Sequence, residues 1–146
     1  EVLDFCRGRM GVNVEMKSEK DETRARETGA AVATRLAARG QGDVYVSSFW
    51  WSALEGARNA APAVRRAFVY SDSPDRTALF ASARALELWA LHPNRAYITT
   101  DLIRAAHAAS LRVNTWTVND AKEITQFRNW SVDGIMSDFP ERVPKD

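Results

Sequence analysis

Residues 97–120 read YITTDLIRAAHAASLRVNTWTVND, a helical pattern followed directly by a strand pattern. Thr100 is predicted to open the helix of DLIRAAHAAS, and the β-branched residues of LRVNTWTV predict a strand. Asp120 and Glu123 have the spacing of a capping box, which predicts that a further helix begins there. This segment is therefore predicted to form one helix-strand-helix unit of a repeating α/β chain.

The same alternation extends over the rest of the sequence. Helices are predicted from Glu22 to Arg39, from the capping-box spacing of Ser52 and Glu55 toward Pro62, and from the pair Ser73-Pro74 to about Glu87. The strands are spaced roughly 22 to 32 residues apart, the period of a strand plus a crossover helix. They are predicted to start near residues 12, 44, 66, 88, 112 and 134.

Six βα units in a row predict a parallel sheet, which occurs in open doubly wound folds and in closed eight-stranded barrels. No glycine-rich phosphate fingerprint follows any predicted strand, and this favours the barrel. Because six strands do not close such a barrel, the fold expected for residues 1–146 is a single domain with an incomplete (β/α)8 barrel.

Composition excludes several functional classes. Twenty basic and nineteen acidic residues give a net charge of +1 without a Lys/Arg block, so nucleic acid is not an expected partner. Cys6 is the only cysteine, which excludes a disulfide framework and a cysteine-based zinc site within the chain. No apolar stretch is long enough to span a membrane, and a cytoplasmic location is expected, although a signal could precede Glu1.

The first predicted strand has one polar face. Side chains alternate along GVNVEMK, so Asn13, Glu15 and Lys17 share one face and Val14 and Met16 the other. In a barrel the apolar face would contact the helices, and the polar side chains would point inward near the C-terminal mouth, where active sites lie. On the pattern alone, a surface ion pair at a strand end is the preferred explanation of these residues.

Four segments together resemble the glycerophosphodiester phosphodiesterase family. The resemblance extends over nearly the whole chain, and its most specific part is WTVND followed by VDGIMSD about a dozen residues later. It implies a (β/α)8 barrel that uses a divalent cation, Mg²⁺ or Ca²⁺, to hydrolyse glycerophosphodiesters to an alcohol and glycerol 3-phosphate. The segments are NVEMK (13–17), VSSF (46–49), residues 97–120 and VDGIMSDFP (132–140).

The family's general acid and base, two histidines, are expected upstream of Glu1, as are two further acidic metal ligands. The sequence therefore resembles the C-terminal two-thirds of the enzyme, and catalytic residues are expected outside it. By itself the chain is expected to associate with itself or a second polypeptide and to be inactive. Ser110 and Ser131 stand where the family commonly has glycine.

The resemblance assigns four site residues. Glu15 matches a metal ligand, and Lys17 matches a lysine near the phosphate. Phe49 matches an aromatic residue at the mouth, and Trp116 lines the substrate pocket, where its ring can pack on glycerol carbons and its N–H can donate. A core tryptophan is the alternative for Trp116, and helix capping is preferred over ligand contact for Asn119.

The remaining aromatic and histidine residues have less specific patterns. Trp50 and Trp51 are candidates for lid or interface positions, and His107, in the middle of a helix, is expected to be structural. His92 lies nearer the mouth, but neither histidine is expected to replace the missing pair. Three hypotheses remain open: a metal-dependent phosphodiesterase with further upstream sequence, an inactive relative that binds a ligand or partner chain, and a different barrel enzyme.

Overall fold

The computed structural model describes residues 1–18, 21–40 and 43–143. Within these ranges the chain forms six strands that follow one another in the sheet in chain order, and the register pairs are parallel. The predicted alternation is confirmed, although β4 begins two residues later than the apolar run that starts at Leu88. The elements are α1 Val2–Cys6, β1 Val12–Glu15, α2 Glu22–Ala38, β2 Val44–Ser48, α3 Trp51–Ala60, β3 Arg65–Tyr70, α4 Arg76–Ala85, β4 Ala90–Pro93, α5 Thr100–Ala108, β5 Arg112–Thr115, α6 Ala121–Asn129 and β6 Gly134–Ile135, with short 3₁₀ helices at Arg95–Tyr97 and Pro140–Arg142.

Two of the predicted helix caps are wrong, although both helices begin within two residues of the predicted positions. Helix α3 begins at Trp51 after an extended Trp50, and Ser52 is buried inside the first turn, where it does not cap the helix. Helix α4 begins at Arg76, and the Asp75 carboxylate accepts from the Ala78 amide at 2.8 Å, so Ser73 is not the cap. An aspartate next to the first turn satisfies the free amides there better than a hydroxyl two residues farther away.

The chain groups into two compact units, of which the first contains Glu1–Phe68 and Ala83–Leu88. Its helices α2 and α3 pack through glycines: a Cβ at Gly29 would lie 1.9 Å from the Ala53 carbonyl oxygen, and one at Gly56 would lie 2.0 Å from that of Arg26. These distances show that the two helix backbones are in direct contact. The single-domain prediction itself stays a prediction.

The buried side chain of Arg66, on β3, connects the turn before this strand to the residues that follow α4. The Arg66 side chain is 3% exposed, and its guanidinium donates to four backbone carbonyl oxygens, which satisfies the buried charge without a carboxylate. Burial lowers the pKa of Arg66 from its ordinary value. The acceptors belong to Pro62, Val64, Leu86 and Glu87.

The second unit contains Val69–Ser82 and the chain from Trp89 onward. Its core includes Val113 and Val118 from the β5 segment and Ile124 and Phe127 from α6. Ser110 and Ser131 have φ angles of 59° and 65°, so the two positions where the family commonly has glycine are left-handed turns.

Two features noted from composition can also be located in the structure. Cys6, the single cysteine of the sequence, is buried. Among the described residues, no helix is both long and apolar enough to cross a membrane.

Candidate functional site

The polar face of β1 is present as the alternation predicts. Asn13, Glu15 and Lys17 are exposed, whereas Met16 on the other face is 4% exposed. The Lys17 ammonium lies 3.8 Å from the Glu15 carboxylate, and the two side chains are 84% and 37% exposed. An exposed pair of this kind contributes little to stability, so both groups remain available to a ligand.

The end of β2 lies beside Glu15. In the parallel register Glu15 pairs with Ser47. The next residue, Ser48, donates its hydroxyl to the Met16 carbonyl oxygen at 2.8 Å and accepts from the Trp50 amide at 3.1 Å. These bonds fix the strand end from which Phe49 projects, and Phe49 is 41% exposed.

Trp51 packs against the sheet. Its ring stacks on Phe68 of β3 with a centroid distance of 3.7 Å and an angle of 17° between the planes. This packing joins the start of α3 to the sheet, so Trp51 is a packing residue of the first unit.

Trp116 directly follows β5 in the second unit. Its indole Nε1–H donates to the His92 carbonyl oxygen at 2.8 Å, and its backbone oxygen accepts from the Arg95 amide at 2.8 Å. The ring is partly exposed. Since the N–H already has an acceptor, a ligand would contact the ring and not this donor, which differs from the sequence-based expectation.

His92 is buried below Trp116. Its side chain is 1% exposed, and burial lowers its pKa to about 4, so the ring is neutral near pH 7. The Asn114 amide lies 3.1 Å from Nε2 and donates to it, which places the ring proton on Nδ1. A buried, neutral histidine with Nε2 occupied is not suited to replace an acid/base pair.

His107 has a structural environment, as expected. Its Nε2 lies 2.8 Å from the Asp133 carboxylate, which also accepts from the Val113 amide at 2.8 Å. The pair ties the end of α5 to the turn before β6. Gly134 follows this turn, and a Cβ there would lie 2.6 Å from the Asn114 side-chain oxygen, which explains the glycine of VDGIMSD.

Asn119 is not a helix cap. Asp120 is the cap of α6, and its carboxylate accepts from the amides of Lys122 and Glu123. The Asn119 side chain instead bonds to residues 137 and 138 after β6. Two adjacent cap-type residues compete for one position, and the aspartate occupies it here.

Comparison with known proteins identifies the family. The model of the glycerophosphoryl diester phosphodiesterase family matches residues 4–142. The chain belongs to this family. A glycerophosphodiester phosphodiesterase from Bacillus altitudinis is 30% identical over 104 residues, which are 70% of this chain and 42% of that protein. The family assignment from the sequence is therefore confirmed.

Solved structures of the family share the fold. A Silicibacter pomeroyi DSS-3 protein, provisionally described as a glycerophosphoryl diester phosphodiesterase, is 27% identical with a TM-score of 0.83 over 97% of this chain. An Oleispira antarctica phosphodiesterase in complex with the product sn-glycerol-3-phosphate is 26% identical with a TM-score of 0.79 over 92% of this chain. The barrel-type α/β fold class is thus confirmed.

The chain spans about half the length of these relatives. It covers 42% of the Bacillus protein and 53% of each of the two structures, which is less than the two-thirds expected from the sequence. The match therefore shows the family of this chain, and the activity of a complete family member is a proposal for it.

Among the residues that the resemblance assigns, Glu15 has the donor chemistry that a divalent cation requires. Among the residues that the structure describes, no three His, Cys, Asp or Glu side chains are grouped to surround a metal ion. Glu15 supplies one exposed carboxylate oxygen donor, and Mg²⁺ is commonly held by one or two carboxylates together with water and substrate phosphate. The donor chemistry fits, and the other protein ligands would have to come from elsewhere.

Proposed function

We propose that this chain is part of a longer enzyme that hydrolyses glycerophosphodiesters to an alcohol and glycerol 3-phosphate. The observation that carries the proposal is the match of the family model to residues 4–142, which includes Glu15, Lys17, Phe49 and Trp116. The product complex of the Oleispira relative, sn-glycerol-3-phosphate, supports the choice of substrate class.

Glu15 and Lys17 are proposed to serve the phosphate end of the substrate. The Glu15 carboxylate would be one ligand of Mg²⁺ or Ca²⁺, and the bound cation would polarise the phosphoryl oxygens. The Lys17 ammonium, which is 84% exposed, can reach a phosphate oxygen and stabilise the negative charge that develops on it. The two groups lie 3.8 Å apart, close enough to act on the same phosphate group.

From the family resemblance, Phe49 and Trp116 are each proposed as a substrate contact, and the Trp116 ring is proposed to contact the glycerol part. Both rings are accessible at strand ends, Phe49 after β2 and Trp116 after β5. The bond from the Trp116 indole to the His92 carbonyl fixes the ring, so the ring can pack on glycerol carbons with little loss of side-chain entropy.

Replacement of Trp116 tests the binding role. In the complete enzyme, Trp116→Ala is expected to raise KM for glycerophosphocholine about tenfold, because it removes an apolar contact and no charge. kcat should change little, and added metal should not restore KM. Trp130→Ala is the matched control, since Trp130 packs on Phe127 at 5.5 Å after α6. An unchanged KM in Trp116→Ala would leave Trp116 as a packing residue.

An inactive, ligand-binding relative is the second candidate. It is favoured by the two histidines of the chain, because His92 is buried and His107 bonds to Asp133. Because neither histidine is placed as an acid or a base, catalysis would need both groups from outside this chain. A relative without them would bind its ligand and not hydrolyse it. Turnover by the complete protein separates the two candidates.

A further inference from the structure

The side chain of Asn119 connects the loop after β5 to the loop after β6. Its Oδ1 accepts from the Ser137 hydroxyl at 3.1 Å and from the Asp138 amide at 3.0 Å. Its Nδ2 donates to the Asp138 carboxylate at 2.8 Å. Asn119 is half-buried, and the bond to the Asp138 carboxylate is stronger than a bond between neutral groups.

The backbone reinforces this connection on the same side. The Val118 amide donates to the Met136 carbonyl oxygen at 2.9 Å, and Arg142 donates to the Asn119 carbonyl oxygen at 3.2 Å. The Arg142 guanidinium also stacks 4.0 Å above the Phe139 ring. Residues 118 and 119 are thus bonded to the segment 136–142 through both main chain and side chains.

Trp116 is bonded on the opposite side of the same short segment. Its carbonyl oxygen accepts from Arg95, and its indole donates to His92, each at 2.8 Å. Residues 116–119 are therefore fixed between the strand end of β4 and the loop after β6. Loss of the Asn119 side-chain bonds would release the attachment of this segment to the loop after β6 and allow its backbone to shift.

We propose that Asn119 is a positioning residue: its hydrogen bonds to Ser137 and Asp138 hold the backbone of residues 116–119, and together with the indole–His92 bond this sets the orientation of the Trp116 ring toward the substrate. This inference rests on the proposed substrate contact of Trp116. Asn119 touches no reacting group, so its effect passes through the tryptophan and acts on substrate binding rather than on the chemical step.

A double-mutant cycle in the complete enzyme tests the proposal with glycerophosphocholine as the probe. Asn119→Ala is expected to raise KM about tenfold, with kcat within about twofold, because three modest hydrogen bonds are lost. In the Trp116→Ala background the same substitution should leave KM unchanged, since its effect is transmitted through that ring. If the increase in KM of the double variant equals the product of the increases in the two single variants, the proposal is wrong.

Exchange of the two side chains at positions 119 and 138, together with a control variant, tests whether the hydrogen bonds between them cause the effect on KM. The double variant N119D/D138N retains an acceptor at 119 for Ser137 and places the amide donor at 138, so KM should return to within about threefold of the original value. Asn129→Ala, at the exposed end of α6, should leave KM unchanged. A fall in melting temperature with an unchanged KM in Asn119→Ala would show a purely structural role.

The indole N–H resonance of Trp116 in a ¹⁵N-labelled protein gives a readout that does not depend on turnover. Asn119→Ala should shift this resonance, and Asn129→Ala should not. If the enzyme does not hydrolyse glycerophosphocholine, or if Trp116→Ala alone leaves KM unchanged, the proposed function has failed. A shifted resonance then still supports the proposed effect of Asn119 on the Trp116 ring, and an unshifted one overturns it.

Discussion

Glu15→Gln is expected to lower kcat/KM of the complete enzyme by at least about 100-fold, in line with other single electrostatic groups in active sites. The substitution retains the size of the side chain and removes its charge, so it weakens both metal affinity and the stabilisation of the phosphoryl group in the transition state. Steady-state kinetics with glycerophosphocholine over a range of Mg²⁺ concentrations measure this effect. Part of the lost activity should return at high metal concentration.

The control for this experiment is Glu27→Gln, which removes the same charge from the exposed side of α2. It should leave kcat/KM and its metal dependence unchanged. If Glu15→Gln keeps full activity at low metal concentration, Glu15 is only the exposed partner of Lys17 at the end of β1.

Gly29→Ala is expected to reduce the free energy of unfolding by about 3 kcal/mol or more, the upper range for overpacking a closely packed site. A Cβ at this position would lie 1.9 Å from the Ala53 carbonyl oxygen, so α2 and α3 must separate to admit it. The contact is with backbone, which cannot turn away as a flexible side chain would. Urea denaturation followed by circular dichroism measures the change.

The sign of the change in free energy of unfolding shows whether the two helix backbones touch at Gly29. In a helix without this contact, glycine to alanine stabilises by about 1 kcal/mol. Ala31→Gly on the exposed side of α2 is the matched control and should destabilise by about that amount. If the Gly29→Ala variant is at least as stable as the original protein, α2 and α3 are not in direct backbone contact at this position.

The repeating α/β pattern could be predicted because it depends on residues that are close together in the sequence. The strand at LRVNTWTV and the cap at Asp120 depend on neighbouring residues only, and both are present in the structure. The cap predicted at Ser52 failed because its side chain is buried, which depends on tertiary packing. The glycine contacts of α2 and α3 likewise join residues that are distant in sequence, such as Gly29 and Ala53.

The same distinction applies to the candidate site. Alternation along β1 was enough to place Glu15 and Lys17 on one exposed face. The acceptor of the Trp116 indole, the His92 carbonyl, lies on another strand, and no spacing rule indicates it. Asn119 has the same difficulty, because its partners follow β6 and its neighbour Asp120 carries the stronger local signal.

The most direct measurement of the central claim is ³¹P NMR of glycerophosphocholine incubated with the complete protein and Mg²⁺, with and without EDTA. The account predicts that the phosphodiester signal is replaced by the phosphomonoester signal of glycerol 3-phosphate, and that EDTA prevents this change. A phosphodiester signal that persists with metal present would contradict catalysis and favour the inactive relative. Formation of phosphocholine and glycerol would contradict the proposed position of cleavage.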